Sequence, residues 1–180
     1  HVSKLCKKAN SKFHALSRVS SYMGQDKLRL VMKAFIMSQF GYCPLVWMFH
    51  SRGLNNRINK IHEKSLRLVY RDNESTFSEL LIKDNSVTIH DRNLQVLVTE
   101  VYKTINDINP VIMKSIFNVK NTSFNFRSTS ILCTRNIKTV RYGSGTLSFR
   151  GPKIWALVPD AMKSSKSLRE FKSKIKNGMS

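Results

Sequence analysis

The stretch from Leu54 to Arg71, LNNRINKIHEKSLRLVYR, carries two interleaved rows. Leu54, Ile58, Ile61, Ser65 and Val69 recur at steps of three and four, the spacing that places side chains on one face of an α-helix. Arg57, Lys60, Lys64, Arg67 and Arg71 repeat at steps of three and four on another face. At about 100° per residue the two rows lie roughly 120° apart, so one helix can dock on a core and still present five cations outward. No Gly or Pro interrupts the run, and the fold is read outward from it.

The basic row belongs to a general surplus. The 180 residues hold 31 Lys plus Arg against 11 Asp plus Glu, a formal net charge of +20 at pH 7. The surplus is uneven. His1 to Arg71 carries 14 basic and 2 acidic residues, Asp72 to Pro110 carries 3 and 7, and Val111 to Ser180 again carries 14 and 2. Two basic regions around an acidic spacer point to a polyanionic partner, because each phosphate met by Lys or Arg releases condensed counterions. With 41% hydrophobic residues the chain can bury a real core, in one domain or two small ones.

N-terminal to the deciding stretch, Val2, Leu5, Ala9, Phe13 and Leu16 line a first helix, with Lys4, Lys8 and Lys12 in a separate row. Gly24 breaks that pattern and Asp26 is a candidate cap for a second helix, whose stripe is Leu28, Val31, Met32, Phe35, Ile36 and Phe40. Leu45, Val46, Trp47, Met48 and Phe49 are too continuously apolar to be exposed and are expected in the core. The segment from Ala34 to Ser51 is free of Lys, Arg, Asp and Glu, but it is too short and too interrupted to cross a membrane and reads as a buried helix pair. Cys6, Cys43 and Cys133, odd in number and widely spaced, cannot form a disulfide framework; they suggest a reducing, intracellular location, in nucleus or cytoplasm.

Further on, Ser75 or Thr76 caps a short helix through Ile82. A longer helix is lined by Leu94, Leu97, Val98, Val101, Tyr102, Ile105 and Ile108 and ends at Asn109 and Pro110. Val111 to Phe117 is expected to pack beneath it. Asn, Ser and Thr then dominate and the helical period disappears, so a linker or extended segment is placed over 118–136. Ile137 to Tyr142 and Thr146 to Arg150 flank Gly143-Ser144-Gly145 and read as a short β-hairpin. Gly151 and Pro152 are expected to open a brief helix that Pro159 stops. Ser167 with Glu170 forms a capping box for a final helix carrying Leu168, Phe171 and Ile175 on one face and Arg169, Lys172 and Lys176 on another.

Catalytic patterns fail in their details. Two-metal phosphoryl transfer needs converging carboxylates, whereas the acids between Asp72 and Asp107 are scattered. Asp72, Glu74 and Thr76 imitate a calcium loop, but Phe77 stands where its Gly is needed and Lys83 where its Glu is needed. His62 and Glu63 open like a zinc-protease helix, but Leu66 replaces the second His. Neither a phosphate-cradling Gly loop nor a nucleophile elbow occurs. Binding and positioning are therefore the expected work of this chain, with no metal or cofactor held by it.

Three stretches together carry a resemblance. SQFGYCPLVWMFH from Ser38 to His50, and LNNRINKIHEKSLR from Leu54 to Arg67 with Leu68, Val69 and Tyr70 behind it, resemble the region after the polymerase core of jockey-like non-LTR retrotransposon reverse transcriptases. FRGPKIWALVP from Phe149 to Pro159, followed by SLREFK from Ser167 to Lys172, is similar to the C-terminal end of the same proteins. The resemblance runs from about Val2 to about Lys176. It implies an RNA-directed DNA polymerase that copies its own RNA at a nicked chromosomal target, with Mg²⁺ on palm carboxylates that this sequence does not contain. It further implies that the chain is the helical thumb plus a C-terminal extension, gripping the template-primer duplex behind the active site and joined in cis to an upstream polymerase core. The start at His1, inside an amphipathic pattern, is expected of a fragment.

The resulting expectation is a mainly α protein: a thumb-like helical bundle over 1–117, a linker or extended segment over 118–136, and a small C-terminal part over 137–180 with a β-hairpin and terminal helix. Its partner is RNA, DNA or both. Periodicity nominates Arg57, Lys60, Lys64, Arg67 and Arg71, then Lys4, Lys8 and Lys12, and in the C-terminal region Arg141, Arg150 and Lys172. Two readings compete: a stand-alone or domesticated basic module binding RNA or protein, and a decayed element. An aspartate-rich palm motif encoded upstream favours the polymerase, a Met close to His1 the module, and upstream stop codons or frameshifts the decayed element.

Overall fold

In a computed structural model describing residues 1–117, 132–139 and 143–178, the apolar rows of the N-terminal half all become helices. They are α1 (Val2–Val19), α2 (Gln25–Phe35), the short α3 (Pro44–Trp47), α4 (Arg52–Tyr70), α5 (Phe77–Asp84) and α6 (Ile89–Ile105). After them come α7 (Ile112–Ile116), α8 (Leu147–Ala156), α9 (Asp160–Lys163) and α10 (Leu168–Gly178). Contacts divide the chain into two units, His1–Asn93 and Leu94–Ser180, with the division inside α6.

The first unit is organised around α4. Ile58, Ile61, Leu66 and Val69 are buried against Cys6, Ala9 and Leu16 of α1, Leu28 and Met32 of α2, and Leu80 and Leu81 of α5. The buried arc of α4 is wider than the Leu54-to-Val69 stripe, because His62 and Leu66 are buried too. Termination follows local chemistry. Gly24, in extended conformation, is the N-cap of α2, and Asp26 sits in the first turn rather than at the cap. Pro44 occupies the first turn of α3, where its missing N–H costs nothing. Arg71 adopts the left-handed conformation that closes α4, its N–H donating to the Arg67 carbonyl. Thr76 caps α5 through a full capping box: its hydroxyl accepts from the Glu79 N–H, and the Glu79 carboxylate accepts from the Thr76 N–H at 2.6 Å.

Two expectations in this unit are corrected. Trp47 and Met48 are buried, but Val46 is 85% exposed, because four residues of helix turn consecutive side chains to opposite sides. The apolar run between Ala34 and Ser51 is a 3₁₀ turn (Met37–Phe40) followed by α3, not a helix pair.

The second unit buries Leu97, Val98, Val101 and Tyr102 from α6 together with Phe117, Leu132, Trp155, Phe171 and Ile175. Tyr102 stacks on Phe171 with ring centroids 4.0 Å apart and donates its hydroxyl to the Ser165 carbonyl at 2.7 Å. The start of α10 keeps half of the expected capping box. The Ser167 hydroxyl accepts from the Glu170 N–H, but the Glu170 carboxylate takes its backbone bond from Lys166. Val111 and Ile112 are exposed, so only Phe117 of that segment is committed to the core.

The expected β-hairpin is not present. Among the described residues there is no β-sheet, and Thr146 to Arg150, read as its second strand, leads into α8. Thr146 is the N-cap, and its carbonyl accepts from Arg150 as in a helical first turn. The first strand is undescribed at residues 140–142, and Ile137 to Thr139 have no regular structure. β-Branched and aromatic residues favoured a strand locally, but Leu147, Gly151, Ile154 and Trp155 follow the helical period across the Gly-Pro pair. Pro152 therefore lies inside α8 instead of opening it. Most of the stretch read as a linker, 118–131, lies outside the described residues.

Gly151 is required by packing. A Cβ added there would stand 2.5 Å from the Phe117 ring, which is fully buried and has no room to withdraw. Gly151→Ala is expected to destabilise the second unit by about 1–3 kcal/mol, the usual cost of overpacking. Thermal or urea unfolding checks this; an unchanged transition would show that the ring repacks freely.

Candidate nucleic-acid interface

Helix α4 places its basic row as the periodicity predicts, but its five members are not equivalent. Arg57, Lys60, Lys64 and Arg71 are exposed and make no ion pair among the described residues. Arg67 is half-buried and occupied: its Nη2 and Nε donate to Glu63, one turn back, at 2.8 and 3.2 Å, and its Nη1 reaches the Asp72 carbonyl at 3.4 Å.

The acids nearest this row are engaged elsewhere or locally. Glu63 holds Arg67. Asp72 accepts from the Ser75 N–H at 3.0 Å, the Ser75 hydroxyl at 2.7 Å and the Glu74 N–H at 3.2 Å, and pairs with Lys83 at 3.1 Å. The Ser75 bonds foremost, and then Lys83, hold its carboxyl well below the usual carboxylate range. Hydrogen bonding within the turn thus absorbs the Asp72 charge and leaves the α4 cations uncompensated.

Helix α1 lies beside α4, and its Phe13 shares a groove with Lys64, Arg67 and Leu68 of α4. The groove is open, about 380 Å³ in volume, and lined by Phe13, Lys64, Arg67, Leu68, Arg71 and Asn73. Three of the five nominated α4 cations therefore converge on one concavity with an apolar floor. Phe13 was legible only as a helix-stripe residue, and Leu68 only as part of the stretch that carries the resemblance. Nothing in their spacing marks them as groove lining, which depends on where α1 lies against α4.

The α1 lysines are not brought to that groove. Lys4 and Lys8 are exposed, and Lys12 extends its ammonium over the Phe35 ring of α2, 4.5 Å from the centroid. At about 100° per residue the centre of their row lies roughly 140° around α1 from Phe13. They form a second basic face of the same unit. In the second unit, Arg150 is exposed and donates from Nε to the Ser144 carbonyl at 2.7 Å, and Lys172 is exposed on α10. Arg141 lies outside the described residues.

What anchors the α4 face is a buried carboxylate that the sequence did not single out. Asp84, 1% exposed at the end of α5, accepts from Arg29 Nε at 2.6 Å and from the Tyr70 hydroxyl at 3.0 Å, and pairs with Lys33 at 3.2 Å. Burial pushes its carboxyl up, but these partners outweigh burial and hold it low. Two cations of α2 and the last residue of α4 thereby meet at one anion. Nearby His62 is buried with Nδ1 unpartnered and its ring edge-on to Phe77.

Among the described residues no three His, Cys, Asp or Glu side chains gather as a metal-ligand set, and no helix is long and apolar enough to cross a membrane. No protein-family model, curated protein or solved structure matches the chain.

Proposed function

We propose that the chain is a noncatalytic, nucleic-acid-binding C-terminal portion of an RNA-directed DNA polymerase of the non-LTR retrotransposon kind, gripping the template-primer duplex. One observation carries the binding part of this reading: Arg57, Lys60, Lys64 and Arg71 stand exposed, without an ion pair among the described residues, along one face of a helix whose other side is committed to a core. Cations held in a row on a rigid element suit a phosphate backbone, and such contacts position a duplex without reading its sequence. The retroelement assignment rests on the sequence resemblance of Ser38–His50, Leu54–Tyr70 and Phe149–Lys172. In this reading Mg²⁺ and its carboxylates belong to a polymerase core upstream, and the present residues supply grip.

The test is a salt titration of the 180-residue chain against a fluorescent RNA–DNA hybrid duplex. Four phosphate contacts give a slope of log K against log salt of about −3 to −4, so affinity falls roughly a hundredfold between about 50 and 200 mM salt, with little dependence on sequence. Absence of binding at the lower salt, or affinity indifferent to salt, would overturn the proposal.

A further inference from the structure

A solvated charge row needs no concavity, yet the C-terminal half of α4 has one. Lys64, Arg67 and Arg71 line the groove together with Phe13 and Leu68. Asn73, also in the lining, offers an amide that both donates and accepts hydrogen bonds. A duplex offers phosphates, sugars and base edges but keeps its base faces stacked inside, so an aromatic ring in the lining would find no base face to stack on. A ligand that fits both parts is amphiphilic: a flat, apolar-faced ring joined to an anion. The volume, about 380 Å³, is in the range of pockets that take small organic ligands and is too small for a helix of nucleic acid.

We infer that this groove seats one unpaired nucleotide next to the duplex, its base against Phe13 and Leu68 and its phosphates between Lys64 and Arg71. The inference rests on the nucleic-acid-binding reading and adds to it a preference for duplex ends that continue as single strand. Phe13 suits the role, because aromatic side chains accept any base through its π-face. Its ring is half-buried, packed against the core and edge-on to His14 with centroids 5.4 Å apart. Arg67, tied to Glu63 and the Asp72 carbonyl, shapes the edge, and Lys64 and Arg71 are the cations left to meet phosphate.

The experiment compares three kinds of fluorescent ligand on the full chain: a blunt RNA–DNA hybrid, the same duplex with a short unpaired extension on either strand in turn, and each extension made abasic. The extended duplex is expected to bind about fivefold or more tighter than the blunt one, and the abasic extension, which keeps its phosphates, is expected to lose most of that gain. Phe13→Leu, which keeps an apolar side chain in the core, should bring extended and blunt duplexes to equal affinity. Equal binding of the normal and abasic extensions would overturn the groove assignment and leave duplex binding standing. Failure of every ligand to bind would overturn the underlying reading, and the groove assignment with it.

Discussion

Changing Arg57, Lys60, Lys64 and Arg71 to Glu together is expected to abolish binding of an RNA–DNA hybrid duplex while the chain stays folded. The four side chains are exposed and make no ion pair among the described residues, so their replacement leaves no buried charge without a partner. Reversal removes about four phosphate contacts and sets four like charges against the duplex, a larger loss than neutralisation alone would give. Arg67 is left in place deliberately. Glu at that position would face Glu63 across one helical turn and break the contact to the Asp72 carbonyl, mixing a folding defect into the result. Fluorescence anisotropy reads the binding, and far-ultraviolet circular dichroism with a thermal melt reads the fold. Unchanged affinity in a folded variant would remove α4 from the interface and direct attention to the second unit, where Arg150 and Lys172 are exposed.

How much of this was legible beforehand follows the range of the interactions concerned. Helix α4 was readable because its signal is local: an uninterrupted 3.6-residue period in which packing and solvation assign opposite faces. A cap at Ser75 or Thr76 was readable for the same reason, and the structure places it at Thr76, whose partner Glu79 lies three residues on. Helix α8 was misread because Gly151 and Pro152 look like punctuation, whereas the glycine exists to admit Phe117 and the proline is carried inside the helix. The core role of Asp84 was not readable at all. Its strongest partner, Arg29, is 55 residues away, and an Asp at the end of a short helix looks like any surface acid. The groove lies between these cases. Its cations were nominated from the period of α4, but its floor depends on the tertiary placement of Phe13.

Removing the Asp84 carboxylate is expected to be the most damaging single change to the first unit. Asp84→Ala leaves Arg29 and Lys33 facing each other without their common anion and strips the Tyr70 hydroxyl of its acceptor. Truncating one partner of a fully buried pair costs about 3–5 kcal/mol. Here the two cation side chains are 38% and 42% exposed and recover solvation, so roughly 2–3 kcal/mol is the expected loss. The same cluster sets the response to acid. A carboxyl held below its unfolded value of about 4 contributes stability that is present above that pH and is lost as the pH falls through its folded value. His62 acts in a higher window. Burial, opposed by Asp84 and reinforced by Arg92 and Lys33, lowers its pKa from 6.5 to about 4, so the folded state binds its proton less readily than the unfolded chain does. Its contribution is complete above about 6.5 and declines as the pH falls toward 4, by at most roughly 3 kcal/mol. Urea unfolding followed from pH 7 to pH 4 should therefore show a steady fall in stability, flattened in His62→Leu. Asp84→Asn should start lower at pH 7 and fall toward pH 4 no less steeply than wild type, because Asp84 is the group that holds the His62 pKa up against burial. A pH-independent wild type would mean that His62 reaches water in the folded state, and an Asp84→Ala midpoint equal to wild type would mean that α2 and α4 are held together without the shared carboxylate.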